Sequence, residues 1–157
     1  MEAKPYLEQA LVLFHQVEQR PTDHLDIIWD TYLALSEISV ETNDSLACIA
    51  HNQELMELCP NFAKGEIERR RAVAHNQVGI AYMMIGKFDH AVKRFQQSID
   101  LLKSVSKCHI DMVRLPSANL GFAYWLWGML DEAEDTFSSC LREIEDHPKE
   151  TNGTSYK

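Results

Sequence analysis

The sequence predicts an all-α fold in which about seven helices pair into antiparallel hairpins and stack side by side. Three observations predict it. Only six Gly and five Pro punctuate 157 residues, too few turn-formers for a many-stranded β fold. Apolar residues recur at helical spacing over long stretches. Two segments in the second half of the chain also match without a gap at an offset of 42 residues, the mark of a repeat architecture.

Residues 4–19 read as an amphipathic helix, with Leu7, Leu11, Phe14 and Val17 on one face, placed to cap the N-terminal end of the stack. Helices over 23–42 and 44–59 make the first hairpin. Those over 63–85 and 88–104 make the second, and those over 112–127 and 131–146 the third. Gly86 and Gly128 suit the left-handed position that ends a helix, and Asp89 and Asp131 favour the start of the next one. The spacing therefore predicts one domain over 1–147, followed by a flexible tail over 148–157.

The repeat itself pairs Gly79-Ile80-Ala81-Tyr82, Gly86, Phe88-Asp89, Ala91 and Phe95 with Gly121-Phe122-Ala123-Tyr124, Gly128, Leu130-Asp131, Ala133 and Phe137. Gly inside a helix costs about 1 kcal/mol relative to Ala, so Gly79 and Gly121 predict close approach of a neighbouring helix. Tyr82, Phe95, Tyr124 and Phe137 are the fillers between paired helices. This pattern resembles the tetratricopeptide repeat (TPR) signature. The resemblance implies repeats over 72–105 and 114–147 and a right-handed superhelix. His75 and Ser117 stand where the family has Trp, and the 42-residue period exceeds the usual 34, which is similar to kinesin-light-chain-like proteins. The phrases Asn76-Gln77-Val78-Gly79-Ile80-Ala81-Tyr82 and Leu115-Pro116-Ser117-Ala118-Asn119-Leu120-Gly121-Phe122-Ala123-Tyr124-Trp125 resemble a fungal branch. A degenerate copy over 29–62 places Tyr32, Leu35, Ser36, Asn43, Cys48 and Pro60 at the family's Trp, Leu, Gly, Gly, Ala and Pro positions.

The resemblance further implies that the first helix of each pair lines a concave groove. Carried over, the lining is Asp30, Leu33 and Glu37 from the first repeat, and Asn76, Ile80, Met83 and Met84 from the second. The third supplies Asn119, Phe122, Trp125 and Leu126. Such an apolar surface fits an apolar or amphipathic segment of a protein or peptide partner, with Trp125 as an anchor. The same residues would equally be covered by the chain itself, by a second copy as a homodimer, or by a further repeat. The chaperone-tail clamp of the family needs Lys and Arg here; Leu33, Asn76, Leu115 and Asn119 occupy those places.

A formal net charge of −9 argues against nucleic acid as the partner, since duplex binding neutralises phosphates with cations. The run Arg69-Arg70-Arg71 follows Glu66 and Glu68 and reads as a solvated helix face. No apolar run approaches the roughly 20 residues needed to cross a membrane. Cys48, Cys59, Cys108 and Cys140 form no Cys-x-x-Cys pair, so neither zinc nor a disulfide framework is implied, and a reducing cytoplasmic setting is expected. Phosphate-loop, dinucleotide and nucleophile-elbow motifs are missing, so no cofactor and no catalytic residue is assigned. Two other functions remain open. One is a homo-oligomerising module using Phe137, Cys140 and Leu141. The other is a small-molecule or acid–base site in the concavity, with His75 facing Asp30 or Glu37, in fungal metabolism.

Overall fold

A computed structural model describes residues 3–16, 24–105 and 110–146. The described residues are helical throughout apart from short turns, with no strand. Seven α-helices follow in order: α1 (Ala3–Gln16), α2 (Leu25–Glu41), α3 (Ser45–Leu58), α4 (Ile67–Met84), α5 (Phe88–Ser104), α6 (Ile110–Trp127) and α7 (Leu130–Asp146). A 3-10 turn over Cys59–Asn61, with Pro60 unable to continue the helix, separates α3 from α4. Residues 17–19 of the expected first helix, 106–109 between the second and third hairpins, and the tail over 148–157 lie outside the described residues.

Each helix packs on the next, and α4 also touches α2 and α6. The first helices of the three hairpins thus lie together as one layer, α2–α4–α6. The N-terminal core gathers Leu11, Trp29, Tyr32, Leu35, Leu55 and Leu58 from α1, α2 and α3. The C-terminal core gathers Phe95, Ile99 and Leu102 from α5 with Val113, Leu120 and Ala123 from α6.

All three hairpins turn in the same way. The amides of Asn43, Gly86 and Gly128 donate to the carbonyls of Val40, Met83 and Trp125, at 3.1 Å in each case. The amides of Asp44, Lys87 and Met129 reach one residue further back, to Ser39, Tyr82 and Tyr124, at 2.8–3.0 Å. This pair of bonds caps a helix only when the turning residue is left-handed, and φ is +56° at Asn43, +73° at Gly86 and +84° at Gly128. Asn tolerates that region better than other non-Gly residues, so the first hairpin keeps the turn without its glycine.

The crossings inside the hairpins are set by size. A Cβ at Gly79 would lie 2.6 Å from the Phe95 ring, and one at Gly121 would lie 2.7 Å from Phe137. In the first hairpin the equivalent pair is Ser36 and Asn52. There Asn52 Nδ2 donates to Ser36 Oγ at 2.6 Å and to the Cys48 carbonyl at 2.8 Å, all of it buried. A hydrogen-bonded pair has replaced a ring seated on a glycine.

One sequence reading is corrected. Arg70 is not a solvated residue. Its guanidinium centre lies 3.7 Å from the Phe62 ring and 4.9 Å from the Trp29 ring, with Asp26 at 2.6 Å and Glu66 at 3.6 Å. The stacked cation closes the junction between α2 and the start of α4. Arg71 does point to solvent.

Candidate functional site

The α2–α4–α6 layer presents a groove, and its sides follow from helical spacing. On α6, Leu115, Asn119, Phe122 and Leu126 recur at intervals of four, three and four residues, so they share one face, with Trp125 beside them. The Phe122 and Trp125 rings lie 5.3 Å apart at 30°, a tilted stack. At the other end of this face a mainly apolar cleft of about 320 Å3 opens between the three helices. Leu33 and Glu37 line it from α2, Val73 and Asn76 from α4, and Leu115 and Pro116 from α6. Pro116 lies inside α6 and cannot donate to the Met112 carbonyl, so one helical bond is lost at the cleft wall.

Polar groups are few and placed. Asn119 Nδ2 donates to Asn76 Oδ1 at 3.0 Å, joining α6 to α4 across the groove. Asn76 is itself buried, whereas Asn119 is half-buried. Asp30, Glu37 and Asp111 are exposed, with Glu37 and Asp111 at the cleft itself.

The expected lining residues divide into two groups. Phe122, Trp125 and Leu126 on α6 are exposed, as is Leu115 nearby. Ile80 and Met83 on α4 are half-buried and pack against the C-terminal core, Leu33 packs against the N-terminal core, and Met84 is half-buried. The middle of the groove is therefore partly spent on the fold, and its freely exposed apolar surface lies on α6. Met112, Leu102 and Ser98 also reach the cleft. They do so because α5 and α6 converge there, a tertiary fact with no sequence signal.

The acid–base arrangement is not assembled. Arg94 Nη1 donates to His75 Nδ1 at 3.2 Å, so His75 turns toward α5 and lines a separate depression with Gln97, Asp100 and Ser104. Burial, aided by Arg94 and Arg71, holds its imidazole down at about 4. Neither Asp30 nor Glu37 acts on it. On the far side of the stack a depression of about 250 Å3 between α5, α6 and α7 contains Cys140, Lys103, Asp135 and Glu143. Burial first, and then Glu143, push the Cys140 thiol up, which disfavours the nucleophilic thiolate. Cys48 and Cys59 are buried, and burial likewise raises both thiols.

Among the described residues, no helix is long and apolar enough to cross a membrane. No protein-family model, no curated protein and no solved structure matches the chain.

Proposed function

We infer that this chain is a non-catalytic interaction module of tetratricopeptide type, which holds an apolar or amphipathic segment of a partner protein in the α2–α4–α6 groove. The observation that carries the reading is the unfilled apolar stripe on α6. Leu115 is 62% exposed, Trp125 52%, Phe122 44% and Leu126 42%, although all four lie on the same layer of the stack. A contiguous apolar stripe left in water is costly unless a partner covers it.

The surroundings suggest what the segment carries. An aromatic or branched side chain would fill the cleft beside Leu33, Val73 and Leu115, and backbone amides would meet the Asn76–Asn119 pair. Glu37 at the rim favours Lys or Arg next to the apolar anchor, whereas Asp111 is already bonded to Arg114. The cysteines and the repeat wording suit a protein of the reducing cytoplasm and of fungal type.

The test is selection of peptides from a random library on the full chain, followed by titration of the enriched peptides against variants. Trp125→Ala should weaken binding by about 30-fold, the size of a hot-spot loss. Because Trp125 is half in water, its removal should shift Tm by no more than about 2 °C. Failure to enrich any peptide, or binding that survives both Trp125→Ala and Leu115→Lys, would overturn the groove reading.

A further inference from the structure

The 42-residue offset pairs each position of α5 with one of α7, and the paired positions differ sharply in exposure. Phe95 is 0% exposed and its counterpart Phe137 37%; Ile99 is 4% exposed and its counterpart Leu141 60%. The cause is α6, which covers α5 with Val113, Leu120 and Ala123. No described helix covers α7 in that way. Leu130, Phe137 and Leu141 fall at intervals of seven and four along α7; Leu130 and Leu141 face outward, and Phe137, its ring seated on Gly121, shows its outer edge between them.

The charge on this face distinguishes it from the internal junction. α7 carries seven acidic residues against one arginine, which is six of the nine net negative charges of the chain. Glu134 interrupts the stripe where α5 has Val92, a residue packed on the core, and Glu145 stands where α5 has Lys103. Both glutamates are exposed. A further copy of the same repeat would meet an apolar position at 134, not a carboxylate.

We propose that the outward face of α7 docks a basic amphipathic helix of a partner protein, with a narrow apolar edge on Leu130, Phe137 and Leu141 and cations on Glu134 and Glu145. A helix fits because the equivalent face of α5 accepts one. A basic helix fits because the apolar stripe and the carboxylates occupy the same strip of surface. Neither α7 nor α1 of a second copy offers this chemistry. Two α7 helices face to face would oppose seven acids with seven, and α1 at the other end of the stack carries a single lysine. Residues 147–157 contain no Leu, Ile, Val, Met or Phe.

The probe is a labelled 18-residue helical peptide with Val, Leu and Ala at the spacing of Val113, Leu120 and Ala123, and Lys at its other exposed positions. Anisotropy with the full chain should show binding about tenfold or more tighter than that of the same peptide with Glu for Lys, falling as salt is raised. Leu141→Lys should abolish binding. Glu134→Gln with Glu145→Gln, which removes charge without touching the stripe, should weaken it about tenfold. Trp125→Ala should leave it unchanged, which separates this face from the α2–α4–α6 groove. Equal binding of the Lys and Glu peptides would overturn the proposal. So would unchanged binding after the three apolar residues of the peptide are replaced by Ser, or binding that survives Leu141→Lys. Sedimentation showing self-association that Leu141→Lys abolishes would assign the face to a second copy instead.

Discussion

Gly79→Ala and Gly121→Ala make the same chemical change at equivalent positions, yet the surroundings give them different outcomes. In either helix, replacing Gly by Ala gains about 1 kcal/mol of intrinsic helix propensity. Each new methyl then meets a phenylalanine ring. At Gly79 three atoms of Phe95 lie at 2.6, 2.7 and 2.9 Å, and at Gly121 three atoms of Phe137 lie at 2.7, 2.9 and 3.0 Å. Phe95 is fully buried and has nowhere to move, so the overpacking cost of about 1–3 kcal/mol applies in full. Phe137 is 37% exposed at the open end of the stack and can swing outward, which cancels most of that cost. Gly79→Ala should therefore destabilise the chain by up to about 2 kcal/mol, and Gly121→Ala should be neutral or stabilising by up to about 1 kcal/mol. Urea unfolding followed by circular dichroism measures both. A double-mutant cycle of Gly79→Ala with Phe95→Leu should show coupling of about 1 kcal/mol, because the smaller side chain removes the clash. Equal effects at the two glycines, or a stabilised Gly79→Ala, would refute the claim that ring confinement sets the difference.

Two further outcomes follow from the charged groups. Arg70→Ala should lower stability by about 1–2 kcal/mol, and Arg70→Lys should recover less than half of it, because an ammonium does not stack on Phe62 and Trp29 as a guanidinium does. Asp26 is 75% exposed, so added salt should change that loss little; a loss that disappears in salt would assign it to the ion pair instead. For His75 the folded protein resists protonation at about 4 while the unfolded chain protonates near 6.5. The unfolded state then binds more protons below pH 6.5, so the His75 contribution to stability falls as pH drops from about 6.5 to 4 and levels off below that. His75→Gln should flatten this part of the pH profile, and an unchanged slope would show that other groups cause it.

Helix limits and turns were legible because they depend on neighbours in sequence. The spacing placed one helix over 88–104, and α5 runs over Phe88–Ser104. Gly86 and Gly128 are left-handed as their places predict, and Gly79 and Gly121 do seat the two rings. The start of α4 was less legible. Residues 63–66 lack the local punctuation of a turn apart from Gly65, and only after the 3-10 segment does the helix begin at Ile67.

Side-chain direction across elements was legible only where one helix face decides it. The stripe Leu115, Phe122 and Trp125 is a matter of spacing along α6 once the helix is placed, and its position on the groove was implied only by the resemblance to the repeat family. That Ile80 and Met83 lean into the C-terminal core, that Arg94 turns His75 away from Asp30 and Glu37, and that Arg70 closes onto two rings depended on helices brought together from distant parts of the chain. The same holds for the end of the stack. Phe95 and Phe137 stand at equivalent places in the two repeats, and α6 buries one while the other stays in part exposed. A repeat sequence states which residues belong between helices; whether a helix is there to cover them is set by tertiary packing, because burial belongs to a pair of surfaces and not to either one alone.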